Sequence, residues 1–123
     1  IGVFFMLQPT ITEIFCTLKL EGLHCWSTCN IEEVSYLKYL HRHIFGFTCY
    51  LTVNHDNRDV EFIELKHKIQ NYLKERYFDE KYQCLNFGGK SCEMLGAEIG
   101  SFFGLNRIEV NEDEECGAIV YFD

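Results

Sequence analysis

From His41 to Val53 the sequence HRHIFGFTCYLTV changes character at every step, and this period of two constrains the fold more than any other feature of the chain. Successive side chains of a strand point to opposite faces. His41, His43, Phe45, Phe47, Cys49, Leu51 and Val53 therefore share one side; Arg42, Ile44, Gly46, Thr48, Tyr50 and Thr52 share the other. The odd side is the more apolar and is expected to be buried. Thr12 to Leu20, TEIFCTLKL, alternates in the same way, with Ile14, Cys16, Leu18 and Leu20 on one face. Two such runs predict a sheet with one covered face.

The cover is encoded further on. From Val60 the period lengthens: Phe62, Leu65, Ile69, Tyr72 and Leu73 fall on one helical stripe, with Glu64 and Lys68 spaced for a pair on the outside. Ser91 can cap a second helix with Glu93 in its first turn, running through Met94, Leu95, Ile99 and Phe102 to a stop at Gly104. Ile108 to Glu112 and Ala118 to Phe122 read as two closing strands around an acidic turn. Gly22 to Tyr39 reads as a loop with room for one helical turn, Asn54 to Asp59 as a polar turn, and Phe78 to Lys90 as a loop. The order strand, strand, helix, helix, strand, strand predicts an α+β domain: a four-stranded antiparallel sheet with two helices on one face. The 123 residues suit a single domain spanning 1–123. Its opening IGVFFMLQ is apolar but lacks a basic leader and a cleavage site, so residues 1–11 read as a tag remnant or strand extension, not a signal peptide.

Apolar residues make up 47% and aromatics 15%, enough for a packed core. A net charge of −8 argues against a nucleic-acid partner, because phosphate binding needs a basic surface. No apolar stretch approaches the about 20 residues of a membrane span. The seven cysteines are odd in number and form no CxxC pair, and Cys16 and Cys49 fall inside the strand-like runs. They read as buried thiols of a reduced, cytoplasmic protein and not as a disulfide scaffold.

Within this frame the histidines carry the chemistry. His41 and His43, at i and i+2 of a strand, point to the same side and can reach one ion. Neutral imidazole binds Zn²⁺ at about 2.0–2.1 Å, and a catalytic zinc takes three protein ligands plus a water or substrate. Counting by two from Leu18 and Leu20 through Gly22 puts His24 on the same face, if the first strand continues that far. Two core histidines bonded to backbone groups explain the spacing equally well, so the residues alone leave zinc and core packing both open. His55, in the polar turn, and His67, on the charged side of the helix, are expected to be solvated. FGGKS (Phe87 to Ser91) imitates a phosphate-binding loop, but the glycine required five residues before Gly89 is Cys84.

In the order and spacing of five segments, from about Thr12 to the C-terminus, the chain resembles the 6-pyruvoyl-tetrahydropterin synthase and 6-carboxy-tetrahydropterin synthase family, the tunnelling (T-fold) pterin enzymes. FCTLKLEGLHCW resembles the family's first strand, ending in a zinc histidine at His24. HRHIFGFTCYLTV resembles its HGH-aromatic strand, at His41 and His43, with Arg42 for the usual Gly. VEFIELKHKI is similar to the segment opening the first helix, with Glu61 where Asp is usual. KSCE stands where the family has Pro-Thr-x-Glu, which assigns a substrate-binding role to Glu93. IEVNED resembles the strand whose glutamate grips the pterin, which places that role on Glu112.

The resemblance implies a zinc-dependent lyase acting on a dihydroneopterin triphosphate-type substrate, with Zn²⁺ held by His24, His41 and His43. It also implies a homo-oligomer, a hexamer, in which sheets of several subunits join into a barrel and sites form between subunits. A physical reason supports the Glu112 role: its parity with Ile108 and Val110 turns the carboxylate inward, where it is costly unless paired. A pterin or purine ring can donate two parallel hydrogen bonds to it. The alternative is an exposed acid in an acidic turn. Two departures stand out: no cysteine lies between Cys29 and Cys49, and the family's Asp-His pair after the first helix is Asp79-Glu80. Cys29, Asp79 and Glu80 are the catalytic candidates, with Glu32 or Glu33 as a substitute acid-base group. A non-catalytic T-fold that captures a pterin, purine or nucleotide is the alternative to an enzyme.

Overall fold

The computed structural model describes residues 6–123. Residues 1–5 of the expected tag remnant or strand extension lie outside the described residues, and 6–11 precede the sheet without joining it. The two alternating runs form the central strands, β1 (Thr12–His24) and β2 (His41–Val53). They pair antiparallel along their whole length, from Thr12 opposite Val53 to His24 opposite His41. Strand β1 thus continues through Gly22 to His24. Gly22 is required there, because a Cβ would lie 2.6 Å from the ring of Phe87 and 3.1 Å from that of Phe45.

A 3-10 helix over Glu32–Lys38 bridges the two strands. After β2 come α1 (Phe62–Tyr77), β3 (Phe78–Asp79), β4 (Cys84–Asn86), α2 (Cys92–Phe103), β5 (Arg107–Glu112) and β6 (Cys116–Tyr121). The sheet has six strands, not the four expected, in the order β3-β4-β1-β2-β5-β6. The two additional strands come from Phe78 to Lys90, where the sequence pattern predicts a loop; two and three residues are too short to show a period of two. Strand β4 runs parallel to β1, with Gly22 opposite Leu85 and Leu23 opposite Asn86, and the other pairings are antiparallel.

Both helices begin at side-chain caps. The Glu61 carboxylate accepts from the N–H groups of Ile63 and Glu64 (2.9 and 3.1 Å), and Ser91 Oγ accepts from Met94 N (3.1 Å). Helix α2 ends at Gly104 in the left-handed conformation, as its position predicts. Helix α1 packs on β1 and β4 and α2 on β5 and β6, so one face of the sheet is covered. The core between them is built from the odd side of β2 (Phe45, Phe47, Cys49), Cys16 and Leu18 of β1, and Leu65, Ile69, Leu95 and Ile99 of the helices. Phe62, Met94 and Phe102 lie outside it, about half exposed or more; the buried stripe of each helix is narrower than its apolar stripe. All seven cysteines are free.

Candidate metal centre

The register that pairs β1 with β2 places His24 directly opposite His41, and the strand period puts His43 on the same face. The three rings enclose one point, with centroids 4.5, 5.0 and 5.3 Å apart. One nitrogen from each lies within 4.8 Å of the other two. The far side of each ring identifies that nitrogen. His24 Nδ1 lies 2.9 Å from the carbonyl of Lys90, His41 Nδ1 lies 2.9 Å from the carbonyl of Tyr39, and His43 Nδ1 lies 2.7 Å from Asp113 Oδ2. A carbonyl only accepts, so the Nδ1 atoms of His24 and His41 carry protons and Nε2 is left to face the centre.

Short-range structure supplies these anchors. Phe87 N donates to Leu23 O and Cys25 N to Gly88 O, both at 2.8 Å, clamping the end of β1 against the segment that follows β4. That clamp sets the Lys90 carbonyl over His24. The Lys90 side chain turns away, to Tyr77 Oη (2.8 Å) and the Glu98 carboxylate.

Glu112, at the end of β5 and opposite Phe45, reaches the histidines from the third side. Its Oε2 is 2.9 Å from His24 Nε2, and its Oε1 is 3.6 Å from His43 Nε2. Burial disfavours charge on His24, but the hydrogen bond to Glu112, the Lys90 carbonyl and the Glu112 charge outweigh it and raise its pKa above the ordinary 6.5. Glu112 is held below the usual carboxylate range, first by its hydrogen bond to His24, against burial, and then by the charges of the three imidazoles. A carboxylate therefore faces the Nε2 atoms of His24 and His43 at the centre of the cluster.

His43 Nε2 is buried without a hydrogen-bond partner, since 3.6 Å is too long for one. A buried polar atom left unpaired is costly unless a ligand takes it up. Three imidazoles converging through one type of nitrogen, each fixed from behind, are the donor set and supporting shell that zinc requires. The residues fit the ion.

A cavity of about 170 Å³ opens beside the cluster, lined by His24, Trp26, Leu37, His41, Met94 and Glu112 among others. Buried Cys92 lies against Glu112; burial and the Glu112 charge push its thiol up to about 12, so it stays neutral. The remaining sequence candidates sit elsewhere. Cys29 is buried with Sγ directed at the carbonyls of Ile31 and Val34 (3.8 and 3.6 Å). Asp79 accepts from Asn86 Nδ2 (3.0 Å) and Lys81 N (2.9 Å), bracing the β3–β4 turn. Glu80 and Glu93 are exposed, and neither lines the cavity. The fold brings together His24, His41, His43 and Glu112; within one chain it does not bring Cys29, Asp79, Glu80 or Glu93 to them. Asp113, which sequence reasoning missed, touches the cluster directly. No periodic signal marks it, because its position depends on the turn after β5.

No protein-family model matches the chain, and no curated protein matches it in sequence. Solved structures do. Two structures of the 6-pyruvoyltetrahydropterin synthase of Plasmodium vivax, with alanine or cysteine in place of a catalytic glutamate, superpose on it with TM-scores of 0.63. They are 16% and 17% identical to it, and the alignments cover 94% of this chain and 99% of theirs. At that identity the likeness is one of fold, spanning both chains almost end to end. The chain has the fold of the 6-pyruvoyltetrahydropterin synthases, in a divergent sequence.

Proposed function

We propose that the chain is a zinc-dependent lyase of the 6-pyruvoyl/6-carboxy-tetrahydropterin synthase type, acting on a dihydroneopterin triphosphate-type substrate. The observation that carries this reading is the convergence of three rear-anchored imidazoles on one point, with His43 Nε2 buried and unpaired. Bound zinc supplies Lewis-acid polarisation of the substrate's side-chain oxygens. His24, His41 and His43 would hold it through Nε2, the atom of His24 that lies 2.9 Å from Glu112 Oε2. Glu112, which lines the adjoining cavity, would accept two hydrogen bonds from the ring N–H and amino group of a pterin there. Glu93 is the second ligand-binding candidate, at the first turn of α2.

Proton transfer needs a base near the bound side chain. In the Plasmodium vivax protein a glutamate is a catalytic residue. Glu32 and Glu33 open the 3-10 helix that leads into His41, and both are exposed to solvent. They are the substitute acid-base candidates beside Cys29, whose thiol faces backbone carbonyls, and like Glu80 and Glu93 they do not line the cavity within one chain. Asp79 and Glu80 serve the site only if a second subunit presents them. Such assembly is part of the proposal: a cytoplasmic homo-oligomer, a hexamer by family resemblance, with a pterin-like ligand and no nucleic-acid or membrane partner. No helix among the described residues is long and apolar enough to cross a membrane.

Incubation of zinc-loaded protein with dihydroneopterin triphosphate tests the reading. Release of a tetrahydropterin product, abolished by Glu112→Ala, is the expected result. Tight pterin binding without turnover would favour the second reading, a T-fold that captures a pterin, purine or nucleotide without chemistry. The placement of Cys29 and Asp79 away from the histidines favours that alternative.

A further inference from the structure

The three rear anchors of the histidine cluster differ in kind. His24 and His41 lean on neutral backbone carbonyls, whereas His43 leans on a carboxylate. Asp113 places Oδ2 2.7 Å from His43 Nδ1 and accepts from Ile44 N on Oδ1 at 2.8 Å. Its own N–H donates to Ile44 O at 2.9 Å, so the backbone of β2 grips the residue through both side chain and main chain. Asp113 has φ 56°, a left-handed turn conformation that Asp and Asn tolerate better than most residues. On the opposite side of the ring, Glu112 Oε1 is too distant to hold a proton on Nε2. The two distances together decide which nitrogen of His43 is protonated.

We propose that Asp113 is a positioning residue for the metal: it keeps the proton of His43 on Nδ1, turns the Nε2 lone pair to the ion, and raises the basicity of that ligand through its charge. A carboxylate behind a metal-bound imidazole fixes ring and tautomer together, and its loss typically costs about 10–100-fold in metal affinity. The inference rests on the reading of the cluster as a zinc centre, but the tautomer it assigns belongs to the metal-free protein as well.

Asp113→Asn is the discriminating variant. It preserves the turn conformation and a carbonyl oxygen for Ile44 N, but presents an amide N–H₂ to His43. The imidazole must then accept on Nδ1 and carry its proton on Nε2, the atom that should bind metal. Proton–nitrogen NMR correlation of the imidazoles reads the tautomer in metal-free protein, at a pH well above the usual imidazole range. Competition with a chromophoric chelator reads the zinc affinity. The expected result is an Nδ1 proton on His43 in the wild type, an Nε2 proton in Asp113→Asn, and zinc affinity lower by about 10–100-fold. Glu114→Asn, at the next turn residue, which pairs with Lys19, should leave both unchanged. An Nε2 proton on His43 in the wild type overturns the inference without any variant, as does an Asp113→Asn protein that binds zinc as tightly as the wild type. A wild type that binds no zinc overturns the zinc reading instead, and the tautomer then still decides the role of Asp113.

Discussion

Glu98 is a carboxylate kept charged by its neighbours despite being largely buried. It accepts from Tyr72 Oη at 2.7 Å and Tyr77 Oη at 2.5 Å, contacts the Lys90 ammonium, and lies 3.2 Å from Arg76 Nε. Burial pushes its pKa up, but the hydrogen bonds from Lys90, Tyr77 and Tyr72 outweigh it and leave the value below the usual 4.5. A carboxylate whose folded pKa is depressed contributes stability above its unfolded value and loses it as pH falls through the folded one. Glu98→Gln should therefore cost about 1–3 kcal/mol at neutral pH, with the gap to wild type closing below the usual glutamate range. Urea unfolding at neutral and strongly acid pH measures both; a gap independent of pH would show that the charge of Glu98 contributes nothing. The residue lies away from the histidines but holds the Lys90 side chain, and the Lys90 carbonyl is the anchor of His24.

At the scale of elements, one of the shortest strands does the most to build the site. Strand β4 pairs with β1 only at Gly22 and Leu23, yet this brings Phe87 across Gly22 and the Lys90 carbonyl to His24. Phe87 and Phe45 are fully packed, at 2% and 0% exposure, so a methyl group at Gly22 has nowhere to go. Gly22→Ala should destabilise the fold by about 1–3 kcal/mol through overpacking and weaken zinc binding as the Phe87–Lys90 segment shifts. Thermal unfolding with a parallel zinc titration tests this, and a variant as stable as wild type would contradict the packing described. The long strands were legible because sustained alternation is the pattern a half-buried strand imposes and a helix does not, and that parity alone aligned His24 with His41 and His43. Strands β3 and β4 were not legible, since such short pieces exist only through their pairing with each other and with β1. The left-handed turn at Asp113 ends the strand period after Glu112, so parity could not reveal that its carboxylate folds back onto His43. Met94 and Phe102 misled because apolar spacing on a helix does not say how far the sheet beneath it extends.

At the scale of the whole molecule, one face of the sheet is a packed core and the other carries exposed Phe15, Ile119 and Tyr121. Because β4 meets β1 only at its end, the stretch of β1 from Thr12 to Glu21 has no second neighbouring strand among the described residues. Long unpaired edges invite pairing with another chain, which is the physical basis for proposing an assembly here. The histidine cluster proposed as the metal centre lies where β1, β2 and β5 end together, supported by groups from the β4–α2 segment and the β5–β6 turn. In the proposed function three imidazoles of this cluster hold one zinc ion. The direct test is zinc content and affinity of the purified, metal-loaded protein, measured beside His24→Ala and His43→Ala. One ion per chain in the wild type is expected, with each variant losing more than the about 10–100-fold that removal of a supporting partner costs. Affinity should also weaken as pH falls through the raised pKa of His24. A wild type without bound zinc, or variants that keep its affinity, would contradict the assignment.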